Sequence, residues 1–472
     1  MTKMIPLYVL LVGLPLLGIS GALRAGRSLP APSASIDSSA LPRSEAGPAE
    51  TPGLLLLQIG VVLLAARVLG WAFRAVHQPQ VVGEMAAGLM LGPSLLGTLA
   101  PEVSAFLFPA ASLGHLNALS QVGLVAFMFL VGHELDPGLM EGRGEATVLT
   151  SHASITLPFF LGTLLALYLY PRFADPHVSF MSFALFTGIA MSITAFPVLA
   201  RILSERKLLQ HPVGAVALAC AAVDDVTAWC LLAAVVVAVR ASAASLPLWM
   251  TVAGSLVFAA AMLFVVRPLL RPLEAHFRHR GRVSHNLLGL ILLLVLASAW
   301  TTERLGIHAL FGAFLLGAVM PKAHDFVAAV RDKLEDLTVV LLLPLFFAFM
   351  GLKTQIGLVG GGSAWLACGL VIAVAIAGKL GGSLAAARCA GIGWRQATAI
   401  GILMNTRGLM QLVVLNIGLE LGVITPTVFA MMMVMALVTT IMTTPLLALV
   451  YPASRIESES RARAVAETPA LV

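Results

Sequence analysis

Asp224 and Asp225 stand side by side in an apolar run, Val213 to Ala238, that holds no other formal charge. A carboxylate at the centre of a bilayer is costly, and residues kept there at such cost mark ion or proton pathways. The chemistry open to the pair follows from its oxygen atoms. A carboxylate is a hard ligand for a small monovalent cation, and withdrawal from water favours its protonated form. One group can then hold a proton or a metal ion but not both. Loading it from opposite sides of a membrane exchanges the two with no covalent step.

Three further features belong with the pair. Lys379 lies in Ala377-Gly378-Lys379-Leu380-Gly381, inside another apolar stretch. Adjacent helical residues point about 100° apart, so one aspartate can face Lys379 while its neighbour faces a cavity. A purely structural salt bridge is the competing reading, as is a lysine that snorkels to the membrane surface. Two apolar stretches are interrupted, one by Thr194-Ala195-Phe196-Pro197 and one by Asn405-Thr406-Arg407-Gly408. Pro removes a backbone donor and Gly loosens a helix, which leaves carbonyl oxygens free in mid-membrane; a kink for packing is the alternative. Thr194 and Thr406 add hydroxyls. Arg407 does not readily deprotonate and reads as a fixed electrostatic element.

The elements that must position these groups are membrane helices. Of 472 residues, 59% are hydrophobic and 11% charged, with a mean hydropathy of +0.96, which excludes an ordinary soluble domain. The expected fold is an all-α membrane protein. About thirteen apolar stretches recur over 54–451, near 54–76, 81–99, 117–135, 149–170, 178–203, 213–238, 247–267, 286–301, 307–321, 337–352, 364–386, 396–418 and 426–450. Ahead of them, 1–23 reads as an anchor helix or a cleavable signal peptide, and 24–53 as a flexible Ser/Pro/Ala-rich linker. Residues 452–472 form a short tail. Thirteen divides into six, a linker helix and six, which predicts two inverted repeats whose interrupted fifth and twelfth helices cross at a substrate site.

Arg and Lys concentrate on alternate loops: Arg74, Arg143, Arg206 and Lys207, the cluster Arg267 to Arg282, Lys322 to Lys333, Arg388 and Arg395, and the tail. That bias puts these loops and the C-terminus in the cytoplasm. The formal charge of +6 is accounted for by the same bias, so no nucleic-acid partner is implied, although the Arg267 to Arg282 cluster could also meet anionic lipid heads. Cys220, Cys230, Cys368 and Cys389 have neither metal-site nor disulfide spacing. No phosphate-binding loop appears, no cofactor is called for, and a secondary transporter rather than an enzyme or ATP-driven pump is expected.

Ordered along the chain, several short motifs complete the pattern: Gly83-Glu84-Met85-Ala86-Ala87-Gly88, Leu91-Gly92-Pro93-Ser94, Phe129-Leu130-Val131-Gly132-His133-Glu134-Leu135-Asp136, Gly306-Ile307-His308-Ala309 and Pro344-Leu345-Phe346-Phe347. With Thr194 to Leu199, Asp224-Asp225, Lys379 and Met404 to Gly408, they resemble the second large branch of monovalent cation:proton antiporters. That branch includes bacterial sodium/proton, Kef-type potassium/proton and plant cation/proton exchangers. The resemblance implies that Asp225 binds the transported Na⁺ or K⁺ and the proton, that Asp224 pairs with Lys379, and that Thr194, Ala195, Phe196 and Pro197 form one unwound segment and Asn405, Thr406 and Arg407 the other. It also implies a homodimer and elevator-like alternating access. The Ala, Gly and Arg richness separately suggests a bacterial source, and hence an inner membrane. His133 departs from the Leu common in the family and could sense pH. Gln411 stands where related motifs have an acid, which leaves the balance of Arg407 open. A sodium-coupled organic-anion symporter of similar architecture, or a channel or sensor derived from the fold, are the other classes.

Overall fold

The computed structural model describes residues 4–30, 52–76, 78–134, 144–206, 208, 211–241, 248–305 and 308–452. Most of the expected linker and nearly all of the tail fall outside the described residues, as do Leu135, Asp136, Gly306 and Ile307 of the motifs. The described residues are helical, with no strand among them. Among the described residues, eleven helices are long and apolar enough to cross a membrane, and Phe180–Ser192, Ala309–Val319 and Met410–Glu420 are shorter apolar pieces.

Helices cover each expected stretch, but two of them outrun the apolar pattern. Leu248–Ala261 continues through a π turn into Arg267–Arg280. His324–Leu337 likewise continues into Leu343–Leu352. Hydropathy sees only the apolar half of such a helix, whereas the polar half keeps its helical hydrogen bonds in water. Two short helices, Leu96–Leu99 and Pro101–Leu107, also precede Leu113–Glu134.

The helices sort into two packing groups. The first joins Gly144–Phe173, Phe180–Ser192, Pro212–Ala241, Gly362–Ile376, Gly382–Cys389, Trp394–Met404, Leu409–Glu420 and Pro426–Val450. The second joins Pro52–Ala75, Gln80–Leu91, Leu113–Glu134, His285–Arg304, Ala309–Val319 and Leu343–Leu352. Glycine sets the tightest approaches, as expected where helices cannot rely on water to drive them together. A Cβ on Gly88 would stand 2.6 Å from Phe347 O, and one on Gly162 would stand 2.9 Å from Gly188 Cα.

The N-terminal segment is a helix as far as Gly26, lying along Gly144–Phe173 of the first group. Tyr8 Oη is 2.9 Å from His152 Nδ1, and Thr156 Oγ1 donates to Leu11 O at 3.3 Å. Gly18 and Gly26 meet the rings of Phe160 and Phe180 with no room for a side chain.

Candidate ion-binding site

The two interruptions touch. Helix Phe180–Ser192 stops, Ile193 to Ala195 run free of helix, and Phe196–Glu205 resumes. Trp394–Met404 likewise stops before Leu409–Glu420. Ala195 N donates to Thr406 O at 3.0 Å across the crossing, and Gly408 lies so close to Ala195 and Val198 that a Cβ would be 2.6 Å from Val198 Cγ2. Thr440, on Pro426–Val450, replaces lost helix bonds at the second break: Arg407 N donates to its Oγ1 at 3.1 Å, and Oγ1 reaches Arg407 O at 2.7 Å.

Proline chemistry explains where the cations go. Pro158 cannot donate to Ser154 O, four residues back, and Pro197 cannot donate to Ile193 O. Ser192 O is a helix-end carbonyl with the same need. Lys379 Nζ donates to Ser154 O at 2.9 Å, to Ser192 O at 2.7 Å and to Asp224 Oδ2 at 2.8 Å, which uses all three of its protons. Its backbone sits in a π turn, Ala377–Gly381, inside an otherwise α-helical stretch, a distortion frequent at functional sites. With 0% exposure, Lys379 does not snorkel. Arg407 Nη1 donates to Ile193 O at 2.8 Å and Ala190 O at 3.2 Å, and Nη2 donates to Met191 O. Gln411 Oε1 accepts from Arg407 Nη1 at 3.3 Å. Arg407 is thus balanced by carbonyls of the first broken helix and an amide, with no acid at position 411.

The adjacent aspartates have opposite surroundings. Asp224 accepts from Ser151 Oγ and Ser154 Oγ at 2.6 Å each, from Thr194 Oγ1 at 3.0 Å and from Lys379. Asp225, 3% exposed, has no hydrogen-bond partner for either carboxyl oxygen. Asn405 Oδ1, at the second break, is also buried without a partner. Thr194 serves Asp224, and Thr406 Oγ1 donates to Leu403 O at 2.7 Å. Phe196 starts the resumed helix, and Pro197 is its second residue. Ser151, Ser154, Ser192 and Thr440 are members of the site that the sequence reading did not single out. Pro158 and Pro197, each four residues past an orphaned carbonyl, were the available signal. His133 lies outside the site, stacked on Phe129 at 5.6 Å and edge-on to Phe326 at 5.9 Å, with both ring nitrogens unpartnered.

A multi-pass helical membrane protein whose two broken helices cross beside a buried acid pair and a lysine is a secondary transporter. The comparisons narrow the class. Residues 61–449 match the transmembrane sodium/hydrogen exchanger family. The Na(+)/H(+) antiporter NhaS4 of Synechocystis is 43% identical over 401 residues, covering 85% of this chain and 98% of that protein. Cation/H(+) antiporter 17 of Arabidopsis thaliana is 41% identical over 418 residues, and K(+)/H(+) antiporter 1 of Saccharomyces cerevisiae 33% over 410. The chain spans about half the length of these last two, 51% and 47%. The sodium proton antiporter MjNhaP1 of Methanocaldococcus jannaschii shares the fold, with a TM-score of 0.62 at 14% identity over 85% of this chain and 98% of that one. The chain belongs to the transmembrane sodium/hydrogen exchanger family, a family of cation/proton antiporters.

Proposed function

We propose that this protein exchanges protons for Na⁺ or K⁺, with both ions competing for Asp225. The observation that carries this reading is the contrast within the acid pair. Asp224 has three hydroxyl donors and a fixed lysine, so it has little capacity left for a cation. Asp225 has two free acceptor oxygens and no donor at all, and a buried carboxylate in that condition requires a proton or a cation. Asn405 Oδ1, buried without a partner, and the backbone of the two breaks are candidates to complete a cation shell. The names of the Synechocystis and yeast relatives support Na⁺ and K⁺ as the ions to test.

The first packing group carries the site and moves against the second, in elevator fashion, and the sparse packing between the groups supports this. The N-terminal helix stays on the chain and rides with the moving group, which its packing on Gly144–Phe173 supports. The two halves of the fold are inverted repeats, the basic loops and C-terminus face the cytoplasm, and the second group forms a homodimer within lipid.

The test is exchange in proteoliposomes under an imposed proton gradient, with Na⁺, K⁺ and Li⁺ offered in turn and membrane potential clamped or free. Cation-dependent collapse of the gradient is expected. Passive flux that needs no coupling proton would instead identify a channel.

A further inference from the structure

Away from the buried site, the two groups meet through a polar cluster at one end of the fold. Helix Ala309–Val319 runs from this cluster, at His308, to Lys322 among the basic loops, so the cluster lies at the end opposite those loops. The second broken helix terminates there at Glu420. Glu420 Oε1 accepts from Asn416 Nδ2 at 2.8 Å, one turn back on its own helix, and from Gln121 Nε2 of Leu113–Glu134 at 3.2 Å. Glu420 Oε2 is 3.6 Å from His308 Nε2. Asn416 Oδ1 accepts from Lys353 Nζ at 3.3 Å, and that ammonium also stands 4.4 Å above the Phe349 ring. Asn416 and Glu420 belong to the group that bears the site, whereas Gln121, His308 and Lys353 belong to the other.

A second contact between the groups lies deeper on the same side. Trp229 is four residues past Asp225, hence one turn toward this end on the same helix face. Its ring packs edge-on to Phe311 at 5.2 Å and stacks with Phe314 at 6.0 Å, both on Ala309–Val319. The indole nitrogen is buried with no hydrogen-bond partner, so no bond need be broken for it to withdraw. The polar cluster is partly wet, with Glu420 33% and His308 11% exposed at their side chains. Contacts between polar groups open to water are individually weak and therefore reversible.

We propose that Glu420 is the hub of a latch which, with the Trp229 seal, holds the two groups in the state closed at this end, and that the latch opens and re-forms in every transport cycle. The inference rests on the moving-group reading above. No residue of the latch touches the exchanged ions; each acts by setting how much of the population is closed.

The direct test uses the full chain with its four native cysteines, all of them free, replaced, and carrying His308→Cys and Glu420→Cys. A short bifunctional methanethiosulfonate bridges the two thiols in proteoliposomes. Bridging is expected to cut exchange about tenfold or more, with recovery on reduction, because a population held in one state cannot complete the cycle. Bridged protein that exchanges at the unbridged rate, or a pair that never bridges, overturns the latch. Absence of exchange in the unmodified chain would instead overturn the reading on which the latch rests. A milder arm is Glu420→Gln, which keeps the size of the hub and one acceptor oxygen but removes its charge. Weakening the closed state raises the fraction open at this end, so the half-saturating cation concentration measured from that side should fall severalfold. An unchanged value from both sides counts against the latch.

Discussion

Asp225→Asn is expected to bring exchange down to the level of protein-free liposomes while leaving the protein folded. The two outcomes follow from one geometry. Neither Asp225 oxygen makes a hydrogen bond, so a carboxamide of the same size forfeits no native contact and removes a group that is expensive to bury ionised. Thermal stability in detergent should therefore hold or rise. The amide cannot take up and release a proton and offers a cation no negative charge, so each half of the cycle fails. A variant that is both well folded and inactive separates a transport role from a structural one. Exchange at the native rate by Asp225→Asn would remove Asp225 from the mechanism.

Lys379→Ala is expected to behave in the opposite sense, with a large loss of stability. It strips a buried carboxylate of its cation and leaves the carbonyls of Ser154 and Ser192 without a donor. Breaking a buried pair from one side typically costs about 3–5 kcal/mol. Asp224→Asn alone should cost less, because with its carbonyl oxygen at the Oδ2 position it can still accept from Ser154, Thr194 and Lys379, and the Ser151 hydroxyl can turn to accept from the amide nitrogen. Combining Asp224→Asn with Lys379→Ala should recover part of the stability lost in Lys379→Ala, as required when two groups interact directly. Denaturation of the four proteins in detergent gives the cycle; strict additivity would show that the 2.8 Å contact contributes no coupling.

The acid pair, the lysine and both interruptions were legible in the sequence because each violates the apolar pattern around it. Pro197 and Gly408 announce broken helices, and Asp224, Asp225 and Lys379 are formal charges where a bilayer tolerates few. The shell around Asp224 was not legible. Ser151 and Ser154 look like ordinary small residues of a membrane helix, and only the tertiary fold brings them 73 and 70 positions along the chain to the carboxylate. The fate of Arg407 was hidden for the same reason, since its acceptors are backbone carbonyls more than 200 residues away. Gln121, His308, Lys353 and Glu420 sit singly at helix ends, where polar residues are commonplace, and only packing makes them a cluster. The long polar extensions 267–280 and 324–337 escaped a hydropathy reading that stops where the apolar run stops.

Competition between proton and cation at Asp225 is the centre of this account, and the half-saturating cation concentration measured over a pH series tests it most directly. Where the free site is mainly protonated, that concentration should rise about tenfold for each unit fall in pH while the maximal rate stays constant, since linkage requires each ligand to oppose the other equally. A half-saturating concentration that stays flat across the series, with only the maximal rate falling in acid, would contradict a shared site.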